Sequence, residues 1–310
     1  MSLIPIVFST DHRYVMPAGV AIYSLLASSR GERYDIFILA GGDVDDRDRE
    51  LLRRQVEVAD AESRISFVEL GESFSGAYEI RDITKAAYYR LLIPWMIPQY
   101  DKIFYSDVDV VFRQGLGVLY AADMNDSYIV GANYEEYSNG ALTSHIKRMG
   151  LDAREYVNSG FMLINSKAFR DDDLQNVLLQ EAKRRYEYQD QDILNKVCKG
   201  RISHFEYNVN AKVAEIERFG IENMTLIHYT GIKPWAGFTF CWDEWWRIYR
   251  KSIFYDKTLQ YRVSLDIMNL QGWSNDELKA NWGPMARIGR RLSILFPMFD
   301  RILLKLFPKK

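Results

Sequence analysis

Two cysteines, Cys198 and Cys241, are all that 310 residues contain. They make no CxxC pair and no disulfide framework, so a reducing compartment is expected. No apolar run approaches the roughly 20 residues that span a bilayer. The opening stretch, MSLIPIVFSTDHRY, lacks the basic start and long apolar core of a secretory leader. Low-complexity tracts and internal repeats are missing as well. Charge of one sign is not in excess: the net formal charge is -2, which gives no reason to expect nucleic acid as a partner. What remains is a cytoplasmic globular chain, long enough for one large domain or two ordinary ones.

Apolar residues make up 48% and aromatics 14%, with 20 tyrosines; both fit a large core or a surface that stacks on ligands. Their pattern alternates. Residues 3–9, 34–40 and 64–70 are short apolar runs that read as buried strands. Between them, 14–29 and 43–59 show helical spacing, the second with acids crowding its first turn. Strand-helix alternation of this kind predicts a mostly parallel α/β sheet flanked by helices. Further along, 84–97 reads as a helix broken near Pro94, and 102–112 as one strand. Residues 127–134 and 161–166 read as strands, 171–188 and 191–200 as helices, 225–231 as a strand entering a glycine-bearing loop, and 242–251 as a helix. Open α/β sheets bind ligands beyond the carboxyl ends of their strands. Asp11, Asp107 and the segment from His228 all follow predicted strands, so they are expected to meet at one sheet edge.

The segment KIFYSDVDVVF holds the sharpest signal. Asp107 and Asp109, two apart in an extended chain, face one side together. A cation beside them relieves their repulsion, and hard oxygen ligands suit Mg²⁺ or Mn²⁺. The bland alternative is a pair of exposed loop acids. A second alternative is a haloacid-dehalogenase phosphatase with Asp107 as phosphoryl nucleophile, although its motif commonly lies near the N-terminus. HYTGIKPW supplies companions. His228 is a candidate nitrogen ligand favouring Mn²⁺, Gly231 lets backbone approach a phosphate, and Lys233 neutralises it; a buried histidine beside a packed tryptophan is the competing reading. Asn158, Ser159 and Gly160, placed before a strand, either bind a ligand or make a turn. Among Gln189, Asp190, Gln191 and Asp192, one acid is expected to cap a helix and the others to bind hydroxyls. Asp11 and Tyr14 suit a base or ribose, or a capped helix start.

Six motifs in order resemble glycosyltransferase family 8, which includes bacterial lipopolysaccharide α-galactosyl- and α-glucosyltransferases and is related to glycogenin. They are IVFSTDHRY, AAYYRLLIP, IFYSDVDVVF, VNSGFMLIN, YQDQDILN and HYTGIKPW, within the first 235 residues or so. The resemblance implies a GT-A fold, a Rossmann-like nucleotide-binding domain over 1–255 and a helical, basic extension over 256–310. It implies a UDP-hexose donor, a saccharide or glycolipid acceptor, Mn²⁺ with Mg²⁺ as substitute, and retention of anomeric configuration. Asp107, Asp109 and His228 then look like metal ligands. Ser9, Asp11 and Tyr14 look like uridine contacts, Val108 lies against the nucleotide, and Gly231 and Lys233 grip the diphosphate. Arg90, Asn158, Ser159, Asp190 and Gln191 look like donor-sugar contacts, with Gln191, Asp190 and Lys233 nearest the chemistry. Arg13, where a small polar residue is common, and a loop one residue short between Gly231 and Lys233 depart from the pattern.

The last 26 residues carry seven basic residues against one acid, Asp300, interleaved with Leu, Ile and Phe. Residues 285–310 thus read as an interfacial amphipathic segment for an anionic membrane, which would place the protein on the inner face of the cell membrane. A helix packed on the core or a dimer contact are the alternatives. A non-catalytic nucleotide-sugar binder is the remaining reading of the whole chain.

Overall fold

The computed structural model describes residues 3–29, 31–69, 86–133, 140–206 and 208–270. The chain divides into two compact units, 1–234 with 238–255, and 235–237 with 256–310. In the second, the described element is the helix Lys257–Leu270. The basic segment 285–310 lies outside the described residues.

The first unit is built on a seven-stranded sheet in the order β3-β2-β1-β4-β7-β6-β8. Its strands are β1 Ile4–Thr10, β2 Tyr34–Ala40, β3 Arg64–Glu69, β4 Ile103–Ser106, β6 Ile129–Asn133, β7 Val157–Ile164 and β8 Ile202–His204. Pairing is parallel throughout except at β7, which runs antiparallel to β4 and β6. A separate antiparallel pair joins β5, Val110–Phe112, to β9, Leu226–His228. This is the α/β sheet expected from the alternating pattern.

Strand periodicity sorts the core onto the two faces. Ile6 and Phe8 of β1, Ile36 and Ile38 of β2, Phe104 of β4 and Phe161 of β7 join one cluster with Ala18, Ile22 and Leu52. The intervening Val7, Phe37, Tyr105 and Met162 join another with Leu91, Phe169 and Ile193. Helices Val15–Ser28 and Asp46–Ala59 therefore cover one face, and the segments around residues 88–97, 168–182 and 189–198 the other. Central strands buried on both faces carry near-continuous apolar runs, because neither side can accept a charge. The Asp46–Ala59 helix starts in a capping box, Asp45 accepting from Asp48 N–H and Asp48 from Asp45 N–H.

Four sequence expectations change. The break in 84–97 falls at the 3₁₀ turn Arg90–Leu92, and Pro94 sits near the start of the next short helix, Ile93–Met96, where its missing N–H costs nothing. The single strand 102–112 is two strands in different sheets. The strand at 161–166 begins at Val157, so Asn158-Ser159-Gly160 lie inside β7 rather than in a turn before it. The helix expected over 171–188 is confined to Gln175–Glu181; a short helix, Ser166–Asp171, precedes it, with Asp173 at φ 49° between them. Among the described residues, no helix is long and apolar enough to cross a membrane.

Candidate active site

Asp107, Val108 and Asp109 form the crossing between the two sheets. Asp107 N–H donates to Gly160 O of β7 at 2.7 Å, while Tyr229 N–H, just past β9, donates to Asp109 O at 2.9 Å. Backbone bonds thus pin one acid to the large sheet and the other to the small one. Val108 between them is buried in the core. The β5–β9 register sets His228 opposite Val110, which brings His228 Nε2 to 3.3 Å from Asp109 Oδ1 and 3.8 Å from Asp107 Oδ2. One ligand atom from each of the three lies within 4.8 Å of the others.

This donor set fits a divalent cation. Two carboxylates and an imidazole converge on one spot, and two carboxylates alone leave open positions for ligand oxygens. Gly160 keeps that spot clear. A Cβ there would come within 2.3 Å of His228 Cε1 and 2.7 Å of Asp107 Oδ2. Burial works against ionisation of Asp109, but His228 when protonated, and Lys233, hold its carboxyl well below the usual range. Lys233 Nζ bonds Asp109 Oδ2 and also donates to Tyr229 O at 2.7 Å. Gly231 is exposed, and a Cβ on it would meet nothing within 4 Å.

Arg90 organises the other side. Its Nη2 lies 3.0 Å from Asp107 Oδ1 and its Nε 3.2 Å from Asp190 Oδ2. Nη1 donates to Ser159 O at 2.9 Å and Oγ at 3.2 Å, and the guanidinium sits 4.3 Å from the Tyr105 ring centroid. Burial alone would weaken that charge; Asp107 and Asp190 more than restore it, so the guanidinium is held even more firmly charged than usual.

Gln189 to Asp192 open the helix Gln189–Val197. No side chain caps it from Tyr188. Asp192 reaches back instead, accepting from Tyr188 N–H at 2.9 Å. Asp190 accepts from Ser159 Oγ at 3.0 Å, and Gln191 Oε1 accepts from Asn158 Nδ2 at 3.1 Å and Ser159 N–H at 3.2 Å. At the end of β1, Asp11 Oδ1 accepts from Tyr14 N–H at 3.2 Å, the capped start that was one of its two readings. Arg13, largely exposed, pairs through Nη2 with Asp11 Oδ2 at 3.3 Å. Ser9 is half-buried in β1.

The structure thus gathers Arg90, Asp107, Asp109, Asn158, Ser159, Asp190, Gln191, His228 and Lys233 into one connected cluster. Ser9, Asp11 and Tyr14 lie at and just past the end of the neighbouring strand β1. Sequence reasoning missed Tyr105, Tyr156 and Asn210. Tyr105 donates to Asp107 Oδ1 at 2.8 Å, and Asn210 Oδ1 lies 3.0 Å from His228 Nδ1. Tyr105 looked like core; Asn210 sits in a stretch without periodicity.

Asp190 gives a pH-dependent consequence. Burial raises its carboxyl to about 6, with Arg90 and the Ser159 hydroxyl opposing and Asp107 adding to the rise. The folded value lies above the ordinary carboxylate value near about 4. Its contribution to stability is therefore complete below about pH 4 and lost as pH rises through about 6, on the order of 2–3 kcal/mol. Between pH 4.5 and 7.5, wild type should lose denaturant resistance relative to Asp190→Asn. Parallel curves would contradict the assignment.

A seven-stranded, mostly parallel α/β sheet, with an acid pair following β4 and an imidazole brought to it by β9, is the arrangement of GT-A glycosyltransferases. The chain belongs to glycosyltransferase family 8: residues 5–239 match the family described as glycosyl transferase family 8. It is 25% identical over 256 residues to the lipopolysaccharide glucosyltransferase WaaO of Escherichia coli K12, covering 77% of this chain and 74% of that protein. It is 23% identical over 273 residues to the lipopolysaccharide 1,2-glucosyltransferase of the same strain, covering 82% and 77%. The crystal structure of a galactosyltransferase, LgtC, with donor and acceptor sugar analogs superposes with a TM-score of 0.69 at 23% identity, over 83% of this chain and 99% of that one; it shares the fold. Membership makes the chain a transferase related to lipopolysaccharide glycosyltransferases, and the phosphatase reading of Asp107 has no place in it.

Proposed function

We propose that the chain is a divalent-metal-dependent, retaining hexosyltransferase that moves galactose or glucose from a UDP-sugar to a saccharide or glycolipid acceptor. The observation that carries this reading is the Asp107–Asp109–His228 cluster at the sheet ends. The relatives, named for glucosyl and galactosyl transfer, support the choice of a hexose.

Asp107, Asp109 and His228 would hold Mn²⁺, or Mg²⁺ in its place. When bound, the ion supplies Lewis-acid stabilisation of charge on the departing diphosphate. Lys233 adds a point charge there, with Gly231 giving the backbone close approach. Ser9, Asp11, Tyr14 and Val108 are assigned to the nucleoside end. Arg90, Asn158, Ser159, Asp190 and Gln191 are assigned to the donor sugar. The bond from the anomeric carbon to the phosphate oxygen breaks as the bond to the acceptor hydroxyl oxygen forms, and that hydroxyl's proton passes to the departing phosphate oxygen on the same face. Double displacement would need a free carboxylate nucleophile. Gln191 is an amide whose oxygen already accepts two hydrogen bonds, and Asp190 is tied to Arg90 and Ser159. Front-face attack, with the acceptor entering on the side UDP leaves, fits these restraints.

The test is a donor screen: UDP-glucose, UDP-galactose and their N-acetyl forms, each with Mn²⁺ and with chelator, scored by UDP release and the anomeric configuration of the product. One UDP-hexose should turn over, only with metal and with retention. Activity that survives chelation would overturn the metal assignment, and no UDP release would favour a binding protein. Residues 1–255 are proposed as the catalytic domain and 256–310 as an extension whose basic end docks on anionic lipid at the inner membrane face. Co-sedimentation with anionic vesicles that persists without 285–310 would reject that docking.

A further inference from the structure

A buried line of hydrogen bonds runs from Asp192 to His228, and its polarity can be read without ambiguity. Amide oxygens and nitrogens are usually interchangeable in such networks. Here two backbone N–H groups, which only donate, settle them. Ser159 N–H points at Gln191 Oε1 at 3.2 Å, and Gly160 N–H at Asn158 Oδ1 at 3.0 Å. Gln191 Nε2 therefore donates to the Tyr156 hydroxyl at 3.2 Å, whose proton goes to Asp192 Oδ1 at 2.6 Å. In the other direction, Asn158 Oδ1 also accepts from Asn210 Nδ2 at 2.9 Å. That fixes Asn210 Oδ1 as the atom 3.0 Å from His228 Nδ1.

An amide oxygen cannot donate, so His228 Nδ1 must carry the proton. We propose that Asn210 is a positioning residue: held by the Asp192–Tyr156–Gln191–Asn158 line, it fixes the Nδ1–H tautomer of His228 and turns the Nε2 lone pair toward the cation site. A competing force exists. Asp109 Oδ1 lies 3.3 Å from Nε2, and that carboxylate by itself would favour a proton on Nε2. The amide line decides against it because the opposite tautomer would set a lone pair of Nδ1 against the Asn210 oxygen, both nearly fully buried. Outer-shell partners of ligating histidines act in this way. The inference rests on the metal reading for its use but not for its geometry.

Imidazole ¹⁵N spectra at alkaline pH without metal read the tautomer directly. With four histidines in the chain, the His228 signal is identified by its loss in His228→Gln. Wild type should show Nδ1 protonated, and a proton on Nε2 would overturn the proposal. Mn²⁺ titration followed by the electron paramagnetic resonance of free ion gives the second reading. Asn210→Ala should weaken binding about 10- to 100-fold, while Asn210→Asp, which still accepts from Nδ1–H but cannot donate to Asn158 Oδ1, should recover only part of that loss. Unchanged affinity in Asn210→Ala, with its fold verified by circular dichroism, would also overturn it. Should wild type bind no Mn²⁺, the metal reading falls, and the wild-type tautomer still decides on Asn210.

Discussion

With Asp109 replaced by asparagine, Mn²⁺ binding and sugar transfer are both expected to fall by at least about 10²-fold, since losing only an outer-shell partner of a metal site costs about 10- to 100-fold. Asparagine keeps the size and removes the charge. It cannot answer Lys233 as an anion, and its amide is a weaker oxygen donor for a hard cation. The backbone of residue 109 stays tied to Tyr229 N–H, so the fold should survive, with a lower Tm from the lost pair with Lys233. Isothermal titration with Mn²⁺ beside UDP release reads both quantities. Full transfer by a variant that no longer binds metal would remove the cation from the account.

The largest stability effect is expected at Arg90. Its guanidinium is buried and faces Asp107, Asp190 and Ser159 at once. Replacement by methionine keeps most of the stem and deletes the charge, leaving two carboxylates with their cation gone. Breaking a buried pair in this way costs about 3–5 kcal/mol. For a domain of this size that is a fall in Tm of roughly 10 °C. Asp190 can relieve part of the loss by taking up a proton, so Arg90→Met should be less damaging at pH 5 than at pH 8, and adding Asp190→Asn should recover part of the loss at pH 8. A drop under about 2 °C would mean that these ion pairs add little over the packing of the stem.

Much of this was legible in the sequence, for physical reasons that differ by element. β1 and β2 were read almost to the residue because a strand buried on both faces must be apolar at every position. The 46–59 helix announced itself through first-turn acids. Asp107 and Asp109 stood out because carboxylates abutting an Ile-Phe-Tyr run are expensive without a partner. The errors share one origin: local pattern cannot see which sheet a segment joins. KIFYSDVDVVF is uniformly extended in character, yet it leaves one sheet at Ser106 and enters another at Val110. Asn158 and Ser159 looked like a turn because polar residues are rare inside strands, and only the tertiary partners Gln191 and Asp190 make burial of those groups tolerable. Arg90 carried no signal of its own, since a lone arginine in an apolar segment reads as a snorkelling side chain until Asp107 and Asp190 are placed beside it. Asn210 could not have been found by periodicity at all, since its role exists only through His228 and Asn158.

The pairing of β5 with β9 has a kinetic meaning. Val110 meets His228 across 118 intervening steps of chain, whereas β1 meets β2 across only 30. A slip of one residue on β9 would put Ile227 where His228 stands and turn the imidazole to the opposite face. Contacts between such distant segments close slowly in folding, because the loop entropy is met before any contact repays it. A chain emerging from denaturant would regain helical signal and the local β1–β2–β3 pairing before His228 reaches Val110. The candidate cation site would then be among the last features of the molecule to form.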